Sequence, residues 1–258
     1  MFYYNYHTHT TRCGHASGTD REYIEEAIRA GIRILGFSDH SDSFFDRGYI
    51  DGVHVKRKAT EQYITDIRCL AEEYKNDITI YVGFESKYDP RLLIPICDFC
   101  RDCGVDYLLL GQHSLKTVSH PDGTYVGLPT EDAAQLRRYV DEALTGLSTG
   151  YFSYLCHPDL FNFTGNPYVY IEEMTRLCRG AKALAIPLEI NLWGMLHDRA
   201  YPSERFFEIA IKEGNDFVIG FDAHVPSVFS NEELRAQAEC FLEKHGIALL
   251  DDVILRKI

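Results

Sequence analysis

Seven short apolar segments constrain the fold of this 258-residue chain more than any other feature of its sequence. Each has the length of a β-strand, and helical patterns lie between most of them. The segments cover residues 2–6, 34–37, 78–82, 107–110, 152–156, 187–190 and 217–221. Alternating strands and helices imply a parallel sheet with helical crossovers. Seven repeats without a break in composition favour one closed α/β barrel, and we expect a single domain spanning residues 1–258.

Capping signals mark the ends of several predicted helices. Thr19-Asp20-Arg21-Glu22 and Ser230-Asn231-Glu232-Glu233 are typical of capping boxes, in which two side chains satisfy free backbone N–H groups. Asn166 followed by Pro167 predicts the first turn of another helix, because proline fits the first helical position. Further helices are expected over residues 55–74, 91–103, 130–146 and 203–214.

The charge balance limits the partners of the chain. Its formal net charge is −13, from 26 basic and 39 acidic residues. Nucleic acid polymers and anionic membranes both require a basic footprint, so neither is expected as a partner. No apolar stretch approaches the roughly 18 residues that span a bilayer, and no leader pattern is evident, so we expect a cytoplasmic protein.

The 8 cysteines are scattered along the chain, which favours reduced thiols over a disulfide framework. Cys97, Cys100 and Cys103 have the two-residue spacing of iron–sulfur ligands. They fall within a predicted helix, where residues three apart share a face, and no downstream Cys-Pro completes the pattern. We therefore expect them to pack inside the protein.

Residues that bind metals stand at the ends of the apolar segments. His7 and His9 flank one residue, so on a strand their imidazoles point the same way, about 6 to 7 Å apart. The same residue types follow the other segments, as Asp39-His40, Glu85, His113, His157 and Asp222-Ala223-His224. The carboxyl ends of barrel strands carry the active site, and so many charged groups are costly to bury without cations. The pattern predicts a site for zinc, iron or manganese.

These motifs and their order resemble the PHP (polymerase and histidinol phosphatase) superfamily, and in particular its histidinol-phosphatase-like branch. The resemblance covers essentially the whole chain. It rests on His7-Thr8-His9, His15, Ser38-Asp39-His40, Gly83-Phe84-Glu85, Gly111-Gln112-His113, Cys156-His157-Pro158 and Asp222-Ala223-His224. It implies a distorted TIM-like (β/α)7 barrel that forms one PHP phosphoesterase domain.

The resemblance also implies three divalent metal ions. The first ion would be held by His7, His9, Glu85 and Asp222, the second by the bridging Glu85 with His113 and His157, and the third by His15, His40 and His224. Glu85, Asp222 and His224 would then act most directly in catalysis. Asp39 points away from His40 on the strand and is expected to support the site or a turn instead. Cys13 is expected to be a spectator.

The function that follows is hydrolysis of a small phosphate monoester by a hydroxide that bridges two metal ions. The substrate predicted from the resemblance is L-histidinol phosphate, giving L-histidinol and phosphate. A phosphatase or phosphodiesterase of the same superfamily, acting on another phosphorylated metabolite, a nucleotide or phosphotyrosine, remains an alternative, as does a metal-binding module without activity. An amidohydrolase-type enzyme is a more distant one, because its bridging lysine is missing at Gly111-Gln112-His113.

Substrate-binding residues are predicted mainly in the loop after the sixth segment. Arg199 is the first candidate for a phosphate clamp, because a guanidinium binds phosphate through two hydrogen bonds, although a solvated loop arginine is the simpler alternative. His197 is a candidate proton donor in the same loop, but we favour the alternative that its side chain simply faces water. Lys116 and Arg12, in other loops at strand ends, are lesser candidates.

The segment after His157 departs from the branch that the chain resembles, which places a basic residue there. Asp159-Leu160-Phe161-Asn162-Phe163 contains none, and this counts against histidinol phosphate as the substrate. Phe161 and Phe163 line a substrate pocket or pack inside the protein, and packing is the more common role.

Overall fold

Seven parallel strands form the main sheet of the computed structural model. The structure describes residues 2–41, 45–48, 52–55, 57–115 and 124–258, and of residues 45–48, 52–55, 57 and 58 it describes the main chain. The strands are β1 (Tyr4–Asn5), β2 (Ile34–Phe37), β3 (Phe45–Gly48), β4 (Gly52–Val55), β5 (Thr79–Ser86), β6 (Tyr107–Leu110), β7 (Phe152–Leu155), β8 (Leu188–Asn191) and β9 (Phe217–Gly220). The sheet order is β1-β2-β5-β6-β7-β8-β9, and β3 and β4 form a separate antiparallel hairpin.

The chain segments that follow β1 and β9 meet, which brings the sheet round into a nearly closed barrel. Thr8 forms a parallel bridge with Ala223. The His9 amide donates to the Ala223 carbonyl at 2.9 Å, and the Ala223 amide donates to the His7 carbonyl at 3.1 Å. The predicted distorted TIM-like (β/α)7 barrel is confirmed, and all seven apolar segments contribute a strand to it.

Helices connect the strands and cover the outside of the barrel. They are α1 (Asp20–Arg29), α2 (Arg57–Glu73), α3 (Leu93–Asp102), α4 (Ala133–Ser148), α5 (Pro167–Ala183), α6 (Leu192–Leu196), α7 (Glu204–Lys212) and α8 (Glu232–His245). None of the helices in the described part of the chain is long and apolar enough to cross a membrane. Cys97 and Cys100 are buried in α3, as predicted for helix packing.

The helix ends follow the capping signals with one correction. Thr19 and Glu22 form the predicted capping box, and the Asn166 side chain accepts from the Tyr168 amide. The predicted cap at Ser230 is wrong by one residue: Asn231 caps α8, because its side-chain oxygen accepts from the Leu234 amide. The short helix α6 and the β3–β4 hairpin were not predicted, since α6 follows β8 directly and is only five residues long, and the strands of the hairpin are four residues each.

One tyrosine fills the barrel interior beside the strands β1, β2 and β5. The Tyr107 hydroxyl donates to the carbonyls of Tyr6 at 2.7 Å and Phe37 at 3.0 Å. A Cβ at Gly36 or Gly83 would overlap the Tyr107 side chain, so these two glycines provide its space. Tyr107 pairs with Gly83, so its side chain packs under the ends of β1 and β2, and the segments that carry His7 and His40 continue beyond it.

Candidate metal centre

The chain after β1 carries two imidazoles on one side of the barrel. His7 and His9 are both fully buried, and strand alternation gives them a common direction, as predicted. Their ring centroids lie 5.1 Å apart with the planes inclined by 57°. This centroid distance is shorter than the predicted separation of about 6 to 7 Å, which was based on the spacing of the backbone positions alone. The two rings converge because their side chains rotate toward each other.

Four ligand-type atoms from three parts of the barrel converge on one point. The Nε2 atoms of His7 and His9 lie 3.6 and 3.7 Å from Glu85 Oε2. They lie 3.4 and 3.1 Å from Asp222 Oδ1. None of these four buried atoms makes a hydrogen bond of regular geometry, although His40 Nδ1 also lies 2.8 Å from Glu85 Oε2. Ligand atoms around a tetrahedral ion, about 2.0–2.2 Å from it, are roughly 3.3–3.6 Å apart, so the four atoms fit a bound cation.

The second oxygen of Glu85 faces a different pair of imidazoles. Glu85 Oε1 lies 2.9 Å from His157 Nε2 and 3.3 Å from His113 Nε2. The rings of His113 and His157 are 4.7 Å apart. Glu85 therefore stands between two ligand groups with one carboxylate oxygen toward each, which is the geometry that a bridging ligand requires.

The three histidines of the third predicted group lie together at the outer side of this cluster. The Nε2 atoms of His224 and His15 are 2.9 Å apart, and the rings of His15 and His40 are 5.4 Å apart. His40 also faces the first group, because its Nδ1 lies 2.8 Å from Glu85 Oε2. Cys13 lies with His15 and His224 in a compact group of ligand-type residues. All nine residues of the predicted ligand set are thus brought into one cluster.

The carboxylates and imidazoles of this cluster shift one another's pKa values in both directions. Burial acts to raise the pKa of Glu85, but the imidazoles of His113, His7 and His40 outweigh it and hold that pKa well below its usual range. Burial lowers the pKa of His113 to about 3. Burial also holds the pKa of His9 well below its usual value. Burial acts to lower the pKa values of His7, His40 and His157 as well, but the carboxylates of Asp222 and Glu85 outweigh it and raise them. A bound cation would displace the protons from these imidazoles, since metal ions bind the deprotonated ligand.

A buried carboxylate that the sequence analysis missed lies behind these ligands. Glu189, in β8, is fully buried, and its Oε1 lies 2.8 Å from His7 Nδ1. Its Oε2 accepts from the His157 amide at 2.8 Å and from Asn191 Nδ2 at 2.9 Å. The available signal was a glutamate within the apolar segment 187–190, which parallel strands buried on both faces rarely contain.

Asp39 contacts the site from behind rather than facing the convergence point. Its carboxylate accepts from the Thr10 amide at 2.6 Å and lies 3.8 Å from His9 Nδ1. Burial raises the pKa of Asp39 to about 6. This position agrees with the supporting role expected from strand alternation.

Glycine at position 111 provides the space for the bridging carboxylate. A Cβ there would overlap Glu85 Oε1 and the carboxyl carbon. The residue before Gln112-His113 therefore has no side chain, because the side chain of Glu85 crosses from β5 over the end of β6.

The predicted substrate residues lie at the rim or outside the described residues. Arg199 and His197 are exposed in the loop after α6. The Trp193 ring packs between His224 and His197, with ring centroids 4.5 and 3.9 Å away. Lys116 lies outside the described residues.

Arg12 is occupied by a structural role. Its guanidinium pairs with Asp20 at 2.9 Å and with Asp66 at 2.8 Å. The lesser expectation that Arg12 binds substrate is therefore wrong, because two carboxylates from α1 and α2 already neutralise it.

The aromatic pair after His157 packs inside the protein. Phe161 and Phe163 are each 1% exposed, and Phe161 contacts the Tyr139 ring at 5.3 Å. Asp159 in the same segment is buried and accepts from the Ser203 amide at 2.6 Å. The segment thus presents neither an aromatic pocket nor a cation to the site.

The fold and the histidine-rich centre agree with the comparisons with known proteins. The PHP domain model matches residues 5–192, and the chain belongs to this family. Within the family, its relatives place it in the histidinol-phosphatase-like branch. Membership of this family argues against the amidohydrolase-type alternative.

Three comparisons illustrate the similarity. A probable histidinol-phosphatase of Deinococcus radiodurans is 28% identical over 85% of this chain and 85% of the relative. The histidinol-phosphatase of Bacillus subtilis is 30% identical over 49% of this chain and 48% of its own length. The crystal structure of histidinol phosphate phosphatase from Lactococcus lactis, complexed with zinc, L-histidinol and phosphate, matches with a TM-score of 0.72 and 19% identity. That match covers 96% of this chain and 95% of the other, and it supports the fold.

Proposed function

We propose that this protein is a metal-dependent phosphatase that hydrolyses L-histidinol phosphate to L-histidinol and phosphate. The observation that carries the proposal is the placement of Glu85 between two ligand groups, with four buried atoms that make no regular hydrogen bond on one side of it. Such an arrangement is unfavourable without cations, because buried polar atoms are normally hydrogen-bonded.

Three divalent ions would occupy this centre. We assign the first to His7, His9, Glu85 and Asp222, the second to Glu85, His113 and His157, and the third to His15, His40 and His224. When bound, such ions supply a nucleophilic hydroxide at neutral pH and offset charge on the phosphoryl oxygens. The donors are nitrogen and oxygen atoms, which suit zinc, iron or manganese.

The residues of the chain then have separate tasks. Glu85 sets the spacing of the first two ligand groups, since one rigid carboxylate faces both. Asp222 and His224 share the segment after β9 and connect the first group to the third. Arg199, exposed at the rim, binds the phosphate of the substrate, and Lys116 and His197 complete the substrate side in this proposal.

The relatives support histidinol phosphate as the substrate. A probable histidinol-phosphatase from D. radiodurans and the histidinol-phosphatase of L. lactis align with most of this chain, and the L. lactis structure was obtained with zinc, L-histidinol and phosphate. L-Histidinol and phosphate are the two products of this hydrolysis, and their presence in a barrel of the same fold supports the same class of reaction here.

A second candidate is the hydrolysis of another small phosphate monoester at the same centre. The segment after His157 favours it, because Asp159 and the two buried phenylalanines provide no cation for the substrate. The ligand groups around Glu85 do not distinguish histidinol phosphate from another monoester, because the ions that they would hold act on the phosphate and not on the alcohol.

A hydrolysis panel tests the proposal. Protein loaded with zinc or manganese would be assayed with histidinol phosphate, sugar phosphates, nucleotides, phosphotyrosine and a phosphodiester. We expect the highest kcat/KM for histidinol phosphate. We also expect this activity to be lost when a chelator removes the metal. A higher kcat/KM for another monoester would show that this monoester, and not histidinol phosphate, is the preferred substrate. Turnover in the Glu85→Ala variant equal to that of wild type would overturn the proposed metal-dependent reaction.

A further inference from the structure

The buried carboxylate of Glu189 touches several parts of the centre at once. We propose that Glu189 is the positioning residue of the metal centre, which fixes His7 and His157 directly and Asp222 through Asn191. The inference rests on the metal-binding part of the proposed function and concerns side chains behind the ligand atoms.

The contact with His7 decides which ring nitrogen faces the ligand group. An ionised carboxylate only accepts hydrogen bonds, so Glu189 Oε1 at 2.8 Å requires the proton on His7 Nδ1. The Nε2 atom then presents its lone pair to Glu85 and Asp222, where it has no other partner. A carboxylate behind a metal-binding histidine fixes the ring orientation and raises its basicity.

The other oxygen of Glu189 binds the backbone of His157 and, through Asn191, is connected to the side chain of Asp222. His157 has a φ of 27° and Asp222 a φ of 49°, values that residues other than glycine adopt infrequently. The His157 amide donates to Glu189 Oε2 at 2.8 Å. Asn191 Nδ2 lies 2.9 Å from the same oxygen and 3.2 Å from Asp222 Oδ2. One carboxylate thereby connects ligands that follow β1, β7 and β9.

A carboxylate at this position cannot be exchanged for an amide without loss. Three N–H groups converge on the two oxygens of Glu189. The amide of glutamine has one oxygen, so its NH₂ group would face a donor either at His7 or at His157. A buried donor left without an acceptor costs about 1–3 kcal/mol.

The neighbouring strand leaves space for the Glu189 carboxylate. Gly220 in β9 pairs with Asn191, and a Cβ at Gly220 would overlap Glu189 Oε1. Gly220→Ala therefore displaces the carboxylate without altering its charge, which provides a perturbation independent of Glu189→Gln.

The test measures zinc affinity rather than turnover. Zinc binding to wild-type protein, Glu189→Gln and Gly220→Ala would be measured by competition with a chromophoric chelator. We expect both variants to bind zinc 10–100-fold more weakly, the range typical for loss of such a partner. Glu173→Gln is the matched control, because Glu173 is a buried glutamate paired with Arg176 on α5, outside the centre. It should leave zinc affinity unchanged.

A second readout needs no variant. In ¹⁵N-labelled, zinc-loaded wild-type protein, His7 should show a protonated Nδ1, slow to exchange with solvent, and a metal-bound Nε2. A folded Glu189→Gln protein with wild-type zinc affinity, or a His7 ring bound to zinc through Nδ1, would overturn the positioning role. Wild-type protein that binds no zinc would overturn the positioning role and the proposed function together.

Discussion

Glu85 and His157 are joined across the barrel, with Glu85 Oε1 2.9 Å from His157 Nε2, while the other oxygen of the same carboxylate faces His7 and His9. One side chain from β5 thus belongs to two groups of ligand atoms. We therefore expect the proposed reaction to be highly sensitive to this side chain.

Replacing Glu85 by glutamine is expected to abolish turnover. The amide has no charge to share between two cations, so the loss in kcat should exceed the roughly 10–100-fold that follows removal of an outer partner. Steady-state phosphate release and metal content per chain would be measured on the same sample. Glu173→Gln, on the outer helix α5, is the control and should retain activity. Turnover within a few-fold of wild type for Glu85→Gln would refute the bridging role.

A single methyl group at Gly111 should impair the same carboxylate from the backbone side. Gly111→Ala places a Cβ against Glu85 Oε1, so the carboxylate must move and kcat should fall at least about tenfold. Gly180→Ala is the matched control, because its Cβ would meet only the end of the Leu144 side chain. Equal activity of the two variants would show that Glu85 tolerates displacement.

Substitution of Arg199 should weaken substrate binding. A hydrogen bond to a charged group contributes about 1.5–3 kcal/mol, so Arg199→Ala should raise KM by about 10–100-fold if the contact is made equally in ground and transition states. Arg179→Ala, which removes an exposed arginine paired with Glu213 at the C-cap of α7, serves as the control. An unchanged KM and kcat for Arg199→Ala would show that this side chain does not contact the substrate.

Thiol reactivity should separate the cysteines by burial. Burial raises the pKa of Cys97 to about 12 and that of Cys100 further, so both thiols stay protonated and inaccessible at pH 8. Cys69 and Cys240 are exposed and should react first with a disulfide reagent in the native protein. Rapid labelling of Cys97 or Cys100, read by mass spectrometry, would contradict the packing of α3.

The sequence was sufficient to predict the barrel, because each of its seven strands coincides with an apolar segment, and six of them, all but β8, are ended or followed by predicted ligand residues. The spacing of His7 and His9 predicted a shared direction, since strand geometry is local. The cap of α8 was misplaced by one residue, because Ser230 and Asn231 both offer a side-chain oxygen.

The network behind the ligands was beyond sequence reasoning. Glu189 contacts His7 and His157, which are 182 and 32 residues away along the chain, and only the closed sheet brings them together. The contact of His40 with Glu85 has the same origin, because β2 and β5 are neighbours in the sheet although a helix and a hairpin separate them in sequence. Local periodicity contains no information on such contacts.

Elemental analysis of purified protein tests the central claim most directly. Protein prepared without chelators should carry about three divalent ions per chain, since in the proposed centre two ions would share Glu85 and the outer histidines would hold a third. The Glu85→Ala variant, folded by circular dichroism, should lose the ions that this carboxylate joins. A wild-type content of one ion or none, under conditions that do not strip metal, would contradict the trinuclear centre.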